Sequence, residues 1–140
     1  MREKLLTNLN NALNQYNELQ QYSNVLPENL MNGAKSAMEE SIPNAGNEIL
    51  SLLNSVSGKQ VFENQNSVTD LITLLTNRAD EINTAFGLVP VNENIMGFDG
   101  GKTYTAKDIL DYQSFWFNAH CDTINTTLTA GRITAEHYKK

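Results

Sequence analysis

Apolar residues recur at helical spacing in the first part of the chain, from about Arg2 to Ser23. A stripe with steps of three and four residues is made of Leu6, Leu9, Leu13 and Tyr16. A flanking line one residue away contains Leu5, Ala12 and Leu19. The pattern predicts an amphipathic helix whose stripe faces either the chain's own core or a helix of another chain. Because the stripe covers only about two heptads, fewer than a coiled coil needs, it favours the core.

Helical periodicity continues through the middle of the chain. Pro27 and Glu28 predict a helix start, because proline suits the first helical position and an acidic side chain complements the helix dipole. The apolar face that follows consists of Leu30, Met31, Ala34, Ala37, Met38 and Ile42. Pro43 predicts a restart of the chain, and a short apolar helix then ends at Gly58. Its apolar residues are Ile49, Leu50, Leu52, Leu53 and Val56.

Another helix is predicted between Ser67 and Gly87. Ser67 lies three residues before Asp70, an arrangement similar to a capping box. Gly87 supplies a C-terminal stop. The apolar residues between them recur at helical spacing and are Val68, Leu71, Ile72, Leu75, Ala79, Ile82 and Phe86.

Residues 88–104 break the helical rhythm. The Val89-Pro90-Val91 tripeptide indicates extended chain, and Asp99-Gly100 is a dipeptide typical of a tight hairpin turn. The apolar residues before this turn and the Lys102-Thr103-Tyr104 run after it predict one short β-hairpin over about residues 95–104. Because an isolated hairpin is marginal in water, we expect it to pack on the helices or on a neighbouring subunit.

The longest predicted helix follows the hairpin. Thr105 and Asp108 predict its N-terminal cap, and we expect it to run to about Ala130, before Gly131. Thr134 predicts the cap of a final short turn through residue 140. Apolar residues cover most of the girth of the long helix, which is typical of a helix at the centre of a core or shared with a partner. Its densest aromatic group contains Tyr112, Phe115, Trp116 and Phe117.

These elements predict a mainly α fold. We expect a small bundle of about five helices, with one short β-hairpin before the last long helix. A chain of 140 residues fits a single domain, which would span residues 1–140.

Charge and hydropathy exclude several classes of function. The net charge is −6, with 16 acidic and 10 basic residues, and basic residues cluster only at Lys139 and Lys140. Binding to nucleic acids or to anionic membranes depends on basic clusters, so we expect neither. The N-terminal segment does not resemble a secretory signal, and no segment approaches the roughly 20 apolar residues of a membrane span. We therefore expect an intracellular or virion-borne protein.

Two motifs resemble binding sites but are incomplete. Only three residues separate Gly97 from the Gly101-Lys102-Thr103 sequence, whereas a phosphate-binding P-loop has four. His120, Cys121 and Asp122 are consecutive, so on a helix their side chains point about 100° apart. They therefore cannot converge on a metal ion or form a catalytic pair.

Paired carboxylates give no better case for catalysis. Asp108 and Asp111 lie one turn apart, where the helix dipole alone accounts for acidic residues. We therefore predict no catalytic, metal-binding or cofactor-binding site and no enzymatic activity.

Two classes of function remain. The first is a structural or assembly protein that binds copies of itself or other subunits, with a phage particle or similar multi-subunit assembly as the favoured setting. A hydrophobic fraction of 40%, somewhat low for a globular domain, supports it. The second is a small acidic inhibitor or adaptor that binds a basic partner surface.

The candidate interface residues come from two segments. They are Leu6, Leu9, Leu13 and Tyr16 in the first helix and Tyr112, Phe115, Trp116 and Phe117 in the last. Aromatic residues carry much of the binding energy at protein interfaces, which supports the second group. A place in the chain's own core is the competing interpretation for both groups.

Overall fold

The computed structural model describes residues 1–58, 62–91, 94–98 and 102–138, with the backbone alone for 94–98 and 102–103. Its helices and strands are α1 (Arg2–Leu19), α2 (Glu28–Ser36), α3 (Ile42–Ser57), α4 (Val68–Asn77), α5 (Ala79–Gly87), β1 (Asn94–Phe98), β2 (Lys102–Thr105) and α6 (Ala106–Tyr138). A 3-10 turn, Gln20–Tyr22, extends α1, and a π-helical segment, Ala37–Ser41, joins α2 to α3 in one rod. The fold is a small, mainly α-helical bundle, which confirms the predicted fold class.

The helices α1 and α6 lie side by side and run in the same direction. The Asn8 amide donates to Asn118 Oδ1 at 2.5 Å, and seven residues later on both helices the Gln15 amide donates to Asn125 Oδ1 at 3.0 Å. Because the hydrogen-bonded residues advance by the same number of positions in the same direction on both helices, the two helices are parallel. Each helix also buries a row with steps of four, three and seven residues: Leu5, Leu9, Ala12 and Leu19 on α1, and Phe117, Cys121, Ile124 and Gly131 on α6. Matching periods of this kind let the side chains of parallel helices interdigitate.

The buried row of α1 is not the predicted stripe. Of the stripe, only Leu9 is fully buried, and the remaining buried residues come from the flanking line: Leu5, Ala12 and Leu19. Leu6, Leu13 and Tyr16 are half-buried and pack against the edge of the core. The prediction misplaced the centre of the face because the stripe and the flanking line have the same period. The positions of the helices packed against α1 distinguish them.

Pro43 does not restart the chain, so that prediction is wrong. A proline inside a helix lacks an N–H donor, and its ring clashes with the carbonyl four residues earlier. The π segment widens the helix immediately before Pro43, and such segments are a common accommodation of helix irregularities. The rod then continues through α3 and ends, as predicted, at Gly58, whose φ of 71° is left-handed.

The helix predicted over residues 67–87 is broken into α4 and α5 at Arg78. Ser67 caps α4 as predicted, since its hydroxyl accepts a hydrogen bond from the Asp70 N–H at 3.1 Å. At Arg78 the backbone leaves the helical conformation, with ψ at 36°. The guanidinium carbon of Arg78 lies 5.0 Å from the centre of the Phe62 ring, a cation–π contact. The apolar spacing continues across this break, which explains why periodicity did not reveal it.

The strands β1 and β2 pair antiparallel where the hairpin was predicted. The turn dipeptide Asp99-Gly100 lies outside the described residues. The helix α6 begins at a reciprocal cap, as predicted: the Thr105 N–H donates to Asp108 Oδ2 at 3.2 Å, and the Asp108 N–H donates to the Thr105 hydroxyl at 3.0 Å.

Gly131 lies inside α6 and not at its end, contrary to the prediction. A Cβ atom at this position would lie 3.0 Å from Tyr22 Cβ and 3.2 Å from Leu26 Cδ1. The glycine therefore lets the chain that follows α1 pass close to α6, which continues to Tyr138 without the predicted restart at Thr134. Glycine both ends helices and permits close packing, and the sequence does not distinguish these roles.

Two asparagines of α3 hold the segment after it by paired hydrogen bonds. The Asn54 side chain donates to the Phe62 carbonyl at 2.8 Å and accepts from the Phe62 N–H at 2.9 Å. Asn47 binds the N–H and carbonyl of Gln65 in the same way, both at 2.7 Å. Seven helical residues rise about 10.5 Å, and three extended residues span about 10 Å, so the two spacings match. This asparagine clamp fixes the segment that carries the buried Phe62 ring.

Removing one half of the clamp should destabilise the fold. Asn47→Ala leaves the backbone N–H and carbonyl of Gln65 without their partner, so it should lower the free energy of unfolding by about 1–3 kcal/mol. Asn44→Ala is the matched control, because Asn44 is exposed on the same helix and surface changes usually stay within about 0.5 kcal/mol. Urea denaturation followed by circular dichroism measures both, and equal effects would contradict the clamp.

Two glycines in helices should respond in opposite directions to larger side chains. Gly131→Leu has no room beside Tyr22 and should cost about 1–3 kcal/mol of stability through overpacking. A Cβ at Gly33 meets nothing within 4 Å, so Gly33→Ala should gain up to about 1 kcal/mol from helix propensity. Thermal unfolding monitored by circular dichroism should show a lower Tm for the first variant and a higher Tm for the second. A raised Tm for Gly131→Leu would show that the close approach of Tyr22 and Leu26 does not restrict the size of the side chain at residue 131.

Candidate protein-binding surface on helix α6

Three neighbouring aromatic side chains of α6 lie in solvent. Tyr112 is 65% exposed, Phe115 64% and Trp116 44%. Phe117 is only 1% exposed, because a helix turns about 100° per residue and places this ring on the core side. The aromatic surface of α6 consists of Tyr112, Phe115 and Trp116.

The rings of the aromatic surface pack against one another. The Trp116 ring lies edge-to-face with Tyr112, with centroids 6.3 Å apart, and with Phe115, with centroids 5.6 Å apart. The His120 ring extends the group at one edge, with its centroid 6.1 Å from that of Trp116. These separations lie in the range that favours aromatic pairs, so the surface is held in place by its own contacts.

The core side of α6 anchors the aromatic surface from behind. Phe117, Ile124 and Leu128 are at most 1% exposed and belong to the central core. The amide pairs with α1 fix one flank of the helix, including the bond between Asn118 and Asn8. A binding surface on a rigid helix loses little conformational freedom when a partner binds.

Charged residues lie at the ends of the aromatic surface and not within it. No Asp, Glu, Lys or Arg occurs between Asp111 and Asp122. Asp111 forms an ion pair with Lys107 at 2.7 Å, and Asp108 is used in the helix cap. Both carboxylates therefore have partners at the N-terminal end of α6.

The eight candidate interface residues are divided by the structure. Leu9, at 0% exposure, and Phe117 belong to the chain's own core and are inaccessible to a partner. The half-buried stripe residues on α1 are Leu6, Leu13 and Tyr16. The structure therefore brings together in solvent only Tyr112, Phe115 and Trp116.

Cys121 is a free cysteine and is buried. Burial, assisted by the negative charge of Asp122, raises the pKa of the Cys121 thiol to about 12. This cysteine is protonated at neutral pH and is a poor nucleophile. Among the described residues, no three His, Cys, Asp or Glu side chains are grouped as metal ligands. None of the described helices combines the length and apolarity needed to cross a membrane.

A groove of about 590 Å³ between α3 and α6 was not predicted. Its walls include Glu48 and Ser51 on α3, Asn64 in the clamped segment, and Gln113 on α6. The lining residues come from segments far apart in sequence, so no local motif marks the groove. Glu48 is the single titratable group among its described lining residues.

The chain matches no model of a known protein family, no curated protein and no solved structure.

The Cys121 thiol should resist alkylation in the folded protein. With a pKa of about 12, only about one thiol in 10,000 is ionised at pH 8, and burial also blocks the reagent. We expect iodoacetamide to leave native Cys121 unmodified by mass spectrometry and to modify it fully in urea. Thr126→Cys supplies an exposed thiol on the same helix as a positive control. If iodoacetamide modified Cys121 and the thiol of Thr126→Cys at equal rates in the folded protein, the burial of Cys121 would be contradicted.

Proposed function

We propose that this chain is a non-catalytic helical protein that binds copies of itself through the aromatic surface, as a subunit of an assembly. The observation that carries the proposal is the exposure of three adjacent aromatic side chains, Tyr112, Phe115 and Trp116. Tryptophan and tyrosine are among the residues most enriched at binding hot spots.

Among the residues that the structure describes, the aromatic rings in contact with Tyr112, Phe115 and Trp116 are those of one another and of His120, on the side of α6 away from the core. Polar side chains there would leave the core rows of α1 and α6 unchanged. A cluster of large apolar groups in water is typical of a surface that binds a partner.

The area of the aromatic surface indicates the strength of the association. An aromatic side chain contributes 150–250 Å² when buried, so the exposed fractions give roughly 350 Å² per copy. Two copies would bury about 700 Å², less than the 1,200–2,000 Å² typical of stable complexes. We therefore expect a weak, concentration-dependent association that gains strength when neighbouring residues or further subunits join.

A second candidate function is binding to a basic partner. Asp108, Asp111 and Asp122 lie at the ends of the aromatic surface, and the chain carries a net charge of −6. Salt distinguishes the two candidates. Attraction to a basic partner weakens as ionic strength rises, whereas apolar self-association persists or strengthens.

Light scattering after size exclusion, over a concentration series in 0.5 M NaCl, tests self-association. We expect the molar mass to rise from 15.6 kDa toward a whole multiple of it. The double variant Phe115→Ser, Trp116→Ser should remain at the monomer mass with unchanged helical circular dichroism.

Leu88→Ser is the matched control, because Leu88 is an exposed apolar residue distant in sequence from the aromatic surface, with 54% exposure. It should associate like the unaltered chain. A monomer at every concentration would refute self-association. An equal loss of association in Leu88→Ser would show that the aromatic surface is not the site of self-association.

A further inference from the structure

We infer that two copies pair through α6 in antiparallel orientation, about a twofold axis that brings Tyr112 of each copy against Phe115 of the other. The inference rests on the proposed function, since it assumes self-association through the aromatic surface. It adds the geometry of the contact and the number of copies in the complex, which is two.

The aromatic surface is part of a longer row on the outer face of α6. The row advances in steps of four and three residues: Asp108, Tyr112, Phe115, Ala119, Asp122 and Thr126. All of its members are exposed except Ala119, which is half-buried. It faces away from the buried row of the same helix, Leu110, Phe117, Cys121, Ile124 and Leu128. A heptad row on an outer face is the geometry with which one helix packs along another.

Parallel pairing of two copies is opposed by charge. A parallel seam sets each residue against itself, so Asp108 would face Asp108 and Asp122 would face Asp122. The helix dipoles would also point in the same direction. Like charges at facing positions are destabilising, and here they would occur on both sides of the aromatic residues.

Antiparallel pairing removes these repulsions when Tyr112 is set against Phe115 of the other copy. In that register Asp108 faces Ala119, which is uncharged. Asp122 reaches the level of Thr105, which is uncharged, and lies within two residues of Lys107, which forms its ion pair with Asp111. The twofold axis makes every contact occur twice, so the surface is complementary to itself and closes with two copies.

Both neighbouring antiparallel registers are less favourable. A shift of one helix by one layer sets Tyr112 against Asp122 and Phe115 against Ala119, or, in the other direction, Tyr112 against Asp108 and Phe115 against Thr105. It replaces a contact between two aromatic rings with a contact between a ring and a carboxylate, and aromatic pairs stabilise beyond the area that they bury. The register with Tyr112 against Phe115 is therefore the one that the row favours.

Spin-label distances between two copies test this arrangement. The labels are placed singly at Thr126→Cys and Asp122→Cys, both exposed and both outside the aromatic surface. With a rise of 1.5 Å per residue, the antiparallel register predicts axial separations of about 38 Å for residue 126 and about 26 Å for residue 122. Parallel pairing predicts the same short distance for both sites. The unaltered chain is the control, because buried Cys121 should take no label.

Each outcome separates the pairing geometry from self-association itself. A decrease of about 12 Å on moving the label from 126 to 122 supports the antiparallel pair. A dimer by light scattering with equal distances at both sites overturns the inference but leaves self-association standing. A dimer in which both distances are far longer than these places the contact off α6 and overturns it too. A monomer at all concentrations refutes the proposed function and the pairing together.

Discussion

The parallel packing of α1 along α6 is the contact on which the other features depend. It joins segments about 110 residues apart, and its two amide pairs, Asn8 with Asn118 and Gln15 with Asn125, repeat at the heptad step. A slip of one residue would break both amide pairs and remove the matched buried rows from contact. By fixing how α6 is rotated about its own axis, the pair decides which of its residues are buried and which reach solvent.

The sequence predicted features whose cause is local, and failed where one residue type has two roles. The hydroxyl caps at Ser67 and Thr105 were recognisable because a capping side chain bonds within its own turn. Pro43 and Gly131 were read as interruptions, yet one is accommodated by a π segment and the other by a close helix contact. Both outcomes depend on tertiary packing, which a single sequence does not display.

The candidate site was found as a segment but not as a surface. Phe115, Trp116 and Phe117 are consecutive, so a helix must divide them between its faces, and composition does not say which ring is buried. The asparagines show the same limit. Asn is a mediocre helix former, and its abundance in the sequence does not indicate what any single Asn does. Asn47 and Asn54 use both ends of the amide to bind backbone groups, a role visible only once the segment after α3 is in place.

The long separation in sequence between α1 and α6 also affects how the chain folds while it is being translated. At about 5–20 residues per second, α1 emerges some 5–20 seconds before the residues of α6 that pack against its apolar face. During that interval Leu5, Leu9 and Leu19 have no native partner on α6, and closing so long a loop costs entropy before it brings any stabilisation. The newly made protein should therefore be most prone to aggregate, and most dependent on chaperones, until the second half of α6 has been translated.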